Sequence, residues 1–542
     1  MRAQTFDYIV VGAGSAGCVL ANRLSAQRDV AVLVLEAGGS DAHWIIDMPL
    51  AFMKAFLNPA FGWGYFSDPE PQLAGRKLWL PRGRLIGGTS TINGMFFMRG
   101  HRLDFDGWRD LGCTGWGFAD VLPYFKRMET SWRGAGKYHG DDGPLHVRAI
   151  DTRKLLHEPL MQTAVAAGFA TSDDLHAEVQ EGFARGEVTI TPQGLRASAS
   201  RAYLHAVSSR ANLTLLSHTL VTRVLIERRR AVGVEYIVGG EKFEARCNRE
   251  VVLSGGTYNS PQLLMLSGIG AADHLKEVGV TPVQDLPGVG GNLSEHARVP
   301  IEFATRKPVT FLNELRLDKV LCSVAQWKLF GTGTFATQLN SCNIVIRTRS
   351  DLAQPDIQLM SNPLRMDAKI WFPGMGERQE HRVTADAVVL HPRARGSVRL
   401  RSSNPSDAPR VHVNAFGDPA DIDAAIRGVE AARHIYGTRP QADLIAREIN
   451  PGPSRTSRAD LEAYIRATGS ITQHPVGTCK MGLDALAVVD PQLRVHGIEG
   501  LRVADASIMP TVTGGNTNAP TIMIGEKASD LILGKTLAPA DV

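Results

Sequence analysis

The sequence predicts an α/β chain, α+β overall, in which a parallel-sheet domain is interleaved with a second domain built on an antiparallel sheet. Three observations carry this. The first forty residues read as strand, glycine turn, helix and strand; a strand-rich pattern returns from Leu213 and ends in Gly255-Gly256-Thr257; and residues 300–400 change texture to irregular apolar pieces with many arginines, such as DAVVLHPR and GSVRLRS. The opening unit is the most informative. Phe6 to Val11 is an apolar run of the kind that forms a buried parallel strand. Gly12-Ala13-Gly14-Ser15-Ala16-Gly17 follows, leading into a helix, and Val30 to Leu35 forms a second strand with Glu36 and Ala37 at its carboxyl end. Gly12 permits the tight turn, Gly14 lets backbone approach a pyrophosphate, and Gly17 lets the helix pack on the strand. Ser15 and Ala16 open the helix, whose amino-terminal N–H groups and partial positive charge suit phosphates. Glu36 is placed for the hydroxyls of an adenosine ribose. In this order the parts make a Rossmann-like dinucleotide-binding fingerprint.

The bulk numbers narrow the function classes. Of 542 residues, 44% are hydrophobic and 21% charged, and 59 basic against 55 acidic side chains leave a net charge of +4. That near-balance excludes a nucleic-acid partner, and the run Arg228-Arg229-Arg230 reads as a solvated turn. No apolar stretch approaches the ~20 residues that span a bilayer, and a strand beginning at Phe6 leaves no room for a signal peptide. A cytoplasmic protein is expected, with peripheral association at the inner membrane compatible. Six scattered cysteines lack metal-ligand spacing, so free thiols and no metal site are expected.

Along the chain, GRLIGGTSTING from Gly83 can wrap backbone around a ligand, with hydroxyls for phosphate oxygens, although a hairpin would also use Gly-Gly. Helices are expected at Phe118 to Glu129, Leu155 to Ala167, within 260–270 and at Ala420 to Tyr436. The last 75 residues hold two dense clusters, SITQHPVGTCKMG and LRVADASIMPTVTGGNTNAPTIMIGEKASDLIL. In the second, Leu501 to Val503 is a short strand, Asp505 sits at its end, and a terminal helix starts at Pro520.

Four separated motifs, namely the opening fingerprint, GRLIGGTSTIN, GTYNSPQLLMLSGIG and the clusters around His474 and Asn518, resemble those of the glucose–methanol–choline (GMC) flavoprotein oxidoreductases. The likeness covers essentially the whole chain and is strongest to the choline dehydrogenase-like alcohol dehydrogenases. It implies an FAD-binding domain from 1–155, 195–300 and 465–542, and a substrate-binding domain from 156–194 and 301–464. It also implies FAD bound by Gly12, Gly14, Ser15, Ala16, Gly17, Glu36 and Ala37. Further along, Gly88, Thr89, Asn93, Gly94, Met95, Phe96 and Val221 are implied to contact it, as are Asp505, Ala506, Ala519 and Pro520. Ile92 stands where some relatives attach FAD through a histidine, so non-covalent FAD is implied. The family's catalytic pair maps onto His474 and Asn518. Gln473 replaces the aromatic residue that many choline-acting relatives carry before the histidine, which argues against choline.

Alcohol oxidation removes a hydroxyl proton and sends a hydride to flavin N5. An imidazole with a pKa near neutrality suits the first task, and Asn518 can fix the alcohol oxygen, although it can also merely cap the terminal helix. The helix beginning at Pro520 aims its positive end at reduced flavin. Cys479 has no oxyanion-hole motif beside it and reads as a core residue, and Trp63 and Tyr65 read as packing. The expected activity is FAD-dependent oxidation of a primary, apolar or aromatic alcohol, with a quinone, another carrier or O2 as electron acceptor. Alternatives are an oxidase using O2, a lyase or photodecarboxylase of the same family, and a flavin-binding protein without turnover.

Overall fold

The computed structural model describes residues 5–374 and 379–542. The opening unit forms as expected, with β1 at Thr5–Val11, α1 at Ser15–Leu24 and β2 at Val32–Leu35. β1 pairs in parallel with β2, and β2 in parallel with strand Leu213–Leu216. All four residues of β2 are buried, which is why the run lacks the alternation of a half-exposed strand. On the other side of β1 lies Glu241–Leu253, the return strand of an antiparallel meander through Leu220–Glu227 and Arg230–Val238. Its last three residues pair in parallel with Leu501–Val503. That pairing returns the carboxyl-terminal segment to the glycine turn.

Two glycines make the turn possible. A Cβ on Gly12, whose φ is +99°, would lie 2.5 Å from the Ser254 carbonyl oxygen, and one on Gly17 would lie 1.9 Å from the Gly12 oxygen. Helix Asn518–Ile532 crosses α1 just as closely: a Cβ on Gly525 would lie 2.9 Å from the Val19 Cβ. Glu526, fully buried, locks the crossing by accepting hydrogen bonds from Arg23, Arg127 and Tyr203. The helix begins at Asn518, two residues before the expected Pro520. Pro520 is its third residue, where a helix has no intrahelical use for the missing N–H.

Residues 300–400 form most of an eight-stranded antiparallel sheet, as expected. Its order is Ile445–Asn450, Glu302–Thr305, Arg382–Val389, Ile357–Asn362, Cys342–Ile346, Gly182–Ala184. Ala297–Val299 pairs with both Arg382–Val389 and Ser470–Ile471, so two stretches expected within the FAD-binding part contribute strands to this sheet. One face packs on helix Pro419–Gly437, where a Cβ on Gly428 would lie 2.9 Å from the Ala387 Cβ. The opposite face carries Arg298, Glu302, Met360, Asn362, Thr384 and Asp386, all of which line a cavity. The remaining expected helices form at Phe118–Met128, His157–Ala166 and Gly256–Leu266.

Candidate active site

The cavity, of about 720 Å³, runs from Glu36 and Val221 past Gly14 and Gly88 to His474 and the antiparallel sheet. α1 starts at Ser15, and its N-cap, Gly14, makes no side-chain capping bond, so the first-turn N–H groups are left for an anion. A Cβ on Gly88 would lie 2.9 Å from the Gly14 Cα, whereas the nearest atom to a Cβ on Gly14 itself is 3.9 Å away. Two turns thus meet backbone to backbone while Gly14 keeps open space on its cavity side. This cradle fits a dinucleotide pyrophosphate.

Of the sequence-predicted site residues, Gly12, Gly14, Ser15, Ala16, Glu36, Ala37, Gly88, Thr89 and Asn93 line the cavity, together with Gly94, Met95, Phe96, Val221, His474, Asp505, Ala506 and Asn518. Gly17, Ala519 and Pro520 do not: Gly17 seats α1 on its turn, and the other two are buried in the first turn of the terminal helix. Glu36 accepts from the Ala13 N–H at 2.9 Å and the Gly38 N–H at 2.8 Å. Burial raises its pKa, and each oxygen keeps a lone pair for a ribose hydroxyl. The Asp505 carboxylate is taken up by Gly256 N–H, Ser260 and Ser507 N–H.

His474 is set by long-range pairing. Ala297 opposes Ile471 and Arg298 opposes Ser470, and the Thr472 N–H donates to the His296 carbonyl at 3.0 Å. The two imidazoles therefore meet, Nδ1 to Nδ1, at 3.0 Å. Gln473 adopts φ +70° beside them, and Arg82 donates to its carbonyl. The proton positions follow from one fixed acceptor. His296 Nε2 lies 3.0 Å from the Leu390 carbonyl, which can only accept, so Nε2 carries the hydrogen. Burial lowers the His296 pKa to about 4, so this ring is neutral and its Nδ1 is a bare acceptor. His474 Nδ1 must then hold a hydrogen, shared with Thr472 Oγ1 at 2.9 Å. His474 Nε2 is left as a lone pair, and Asn516 Nδ2 donates to it at 3.0 Å.

The expectation from sequence is an imidazole near neutrality. Instead burial, then His296 and Arg82, push its pKa well below the ordinary value, because no carboxylate bonds to the ring. Asn516 is the amide in contact with His474. The Asn518 side chain turns the other way, its Oδ1 accepting from Ser15 at 2.8 Å. Asn516 lies in the quoted GGNTNAP cluster, but two asparagines separated by one residue cannot be told apart without the helix start. His296 and Glu295 escaped notice because only strand pairing brings them here.

Glu295 Oε1 accepts the His474 N–H at 2.7 Å, while Oε2 is buried without a partner. Burial pushes its pKa up to about 8, so the folded state keeps a proton that the unfolded chain gives up near pH 4.3. The stability contribution of this group is therefore full below that pH and is lost as pH rises toward 8. Glu295→Gln keeps the acceptor and cannot ionise. The urea midpoint of the variant minus that of the wild type should grow from pH 5 to pH 8, and a difference independent of pH contradicts the assignment.

Cys479 is buried and its thiol pKa is raised by desolvation, in keeping with a core role. Trp63 lines the cavity while stacking on Tyr65, ring centres 5.5 Å apart. Among the described residues, no helix is long and apolar enough to cross a membrane, and no group of three acidic, histidine or cysteine side chains is placed to hold a metal.

The cavity joins a glycine cradle that fits a dinucleotide to a histidine–asparagine pair, and comparison with known proteins gives the class of enzyme. Family models of the GMC oxidoreductases match residues 6–298 and 392–525. The mitochondrial choline dehydrogenase of Mus musculus is 41% identical over 538 residues, 98% of this chain and 89% of the relative. The oxygen-dependent choline dehydrogenase of Rhizobium rhizogenes is 42% identical over 533 residues, 98% of this chain and 96% of the relative. Pyridoxine 4-oxidase from Mesorbium loti superposes with a TM-score of 0.86 at 30% identity, covering 97% of this chain and 98% of that one. Formate oxidase from Aspergillus oryzae superposes at 0.90 with 25% identity, covering 98% of each. The chain belongs to the GMC oxidoreductase family. It is an FAD-dependent enzyme acting on CH–OH donors, similar to the choline dehydrogenases and with FAD held non-covalently.

Proposed function

We propose that the protein oxidises a primary alcohol with an apolar or aromatic body to the aldehyde, His474 Nε2 being the base. The observation that carries this is the proton arrangement from the Leu390 carbonyl through His296, which leaves Nε2 unprotonated, a lone pair that accepts from Asn516. FAD, when bound, supplies the hydride acceptor. A hydroxyl entering between Asn516 and His474 receives the Asn516 N–H at its oxygen and gives its own proton to Nε2. Nothing negative stabilises the resulting imidazolium except charge on the substrate oxygen, so proton and hydride leave in close succession. Asn516 takes the orienting role, and Asn518, held by Ser15, serves the cofactor end. Phe52, Phe56, Trp79, Phe96 and Leu339 line the cavity and suit an apolar body.

The test is a panel of primary alcohols mixed anaerobically with holoenzyme, followed by air or a soluble quinone. Bleaching of the flavin band by aliphatic or aromatic primary alcohols is expected. Recovery in air marks an oxidase, and recovery with quinone alone marks a dehydrogenase. No bleaching by any alcohol overturns the reading. Glu36→Ala should weaken FAD retention about 10- to 100-fold through lost charge-assisted hydrogen bonds, measured by flavin release. In the FAD-reconstituted variant the reduction rate should hold, because a contact equal in ground and transition states leaves the barrier unchanged. Undiminished FAD affinity contradicts a ribose contact.

A further inference from the structure

Three carboxylates line the cavity away from the glycine cradle: Glu302, Asp367 and Asp386. Each is held by an arginine, Arg382 to Glu302 at 3.1 Å, Arg365 to Asp367 at 2.6 Å and Arg298 to Asp386 at 2.5 Å. A cationic ligand entering this space meets no free anion. An anionic one meets three guanidinium groups with spare capacity, those of Arg82, Arg298 and Arg365. Arg82, lining the cavity beside His474, is bonded among the described residues to the Pro81 and Gln473 carbonyls alone.

Of the three, Arg298 is the one that the sheet fixes relative to His474, and so the best placed for the far end of a substrate. It stands two residues after His296, on the same face of the extended chain and roughly 7 Å along it. Its side chain is 34% exposed; among the described residues its one hydrogen bond runs from Nη1 to Asp386, and its Nε is buried without a partner. The guanidinium fork is thus engaged at one nitrogen, with donors left for a planar acceptor.

We propose that Arg298 is the specificity-determining residue of the substrate cavity, holding a carboxylate at the end of the alcohol remote from the reacting carbon. The substrate class is then a primary alcohol that also carries a carboxylate, with an apolar or aromatic body between the two. This rests on the alcohol-oxidation reading above. It sets the chain apart from an enzyme for a quaternary ammonium alcohol such as choline, whose cation would be seated against a guanidinium. Burial raises the Asp386 pKa, Arg298 opposes that rise and Glu302 adds to it. A second carboxylate on Arg298 drives Asp386 toward its neutral acid instead of leaving two anions on one cation.

The test compares wild-type, Arg298→Gln and Arg298→Lys holoenzyme on 4-(hydroxymethyl)benzoate, 6-hydroxyhexanoate, benzyl alcohol and choline. The wild type should prefer a carboxylated alcohol over benzyl alcohol in kcat/KM and use choline worst. In Arg298→Gln that preference should fall about 10- to 100-fold, through KM, since a remote contact is uniform binding. Arg298→Lys should recover part of it. Calorimetric titration with the unreactive 4-methylbenzoate supplies a readout independent of turnover, with binding expected in the wild type and lost in Arg298→Gln. Choline as the preferred substrate, or an unchanged preference and unchanged 4-methylbenzoate affinity in Arg298→Gln, overturns the proposal. If no alcohol bleaches the flavin yet 4-methylbenzoate binds through Arg298, the oxidation reading fails and the anion site stands.

Discussion

His474→Ala holoenzyme should retain FAD and reduce its flavin about 10²–10⁴-fold more slowly than the wild type with the same alcohol. The variant keeps the cradle of Gly14 and Gly88, which His474 does not form, and loses the unprotonated Nε2 that takes the hydroxyl proton. Asn516→Ala should cost less, about 2- to 10-fold, because one neutral hydrogen bond to the alcohol oxygen is removed. The pH profile carries the sign of the His474 shift. Neutral imidazole is the working form, and burial with His296 and Arg82 lowers its pKa, so the neutral form extends into acid. Wild-type reduction should be flat above the ordinary imidazole value of about 6.5 and decline only at more acid pH. Stopped-flow traces across a pH series check both points. An alanine variant with the wild-type rate and profile puts the proton acceptor elsewhere.

Glu526→Ala should be the most damaging substitution far from the chemistry. Its carboxylate receives Arg23 Nη2 at 2.7 Å, Arg127 Nε at 2.8 Å and the Tyr203 hydroxyl at 2.8 Å, joining α1, the helix Phe118–Met128 and the terminal helix. Alanine leaves the Arg23 guanidinium uncompensated, Arg127 with Asp530 as its one remaining carboxylate, and a buried hydroxyl without an acceptor. Breaking such a buried pair costs about 3–5 kcal/mol. Arg23 and Arg127 are 30% and 27% exposed, so the lower end applies. The terminal helix begins at the cavity, so FAD retention should weaken too. Glu526→Gln, which keeps acceptor atoms without the charge, should fall between. Urea unfolding followed by far-UV circular dichroism and by flavin release measures this, and an unmoved midpoint in Glu526→Ala contradicts the account of the helix crossing.

How legible each part was depends on whether its cause is local. β1, the glycine turn, α1 and β2 were readable because an apolar run and three glycines act within a few residues of themselves. The strand Glu241–Leu253 showed only its end, EVVLSGG, since its first half is largely exposed and polar. The terminal helix was located by Pro520, but its start at Asn518 depends on the preceding GGNT loop. That two-residue difference is what hid Asn516. Residues 300–400 were readable as a separate sheet by texture, whereas the pairing of Ala297–Val299 with Ser470–Ile471 joins segments more than 170 residues apart. His296, Glu295 and Arg298 acquire their positions from that pairing and from the one with Arg382–Val389.

The account is tested most directly by one anaerobic turnover of holoenzyme with a primary alcohol carrying hydrogen or deuterium at C1, counting aldehyde against bleached flavin. Alcohol oxidation with transfer of the C1 hydrogen predicts one aldehyde per flavin reduced, and slower bleaching with the deuterated substrate. Bleaching without aldehyde, or none with any alcohol, contradicts it.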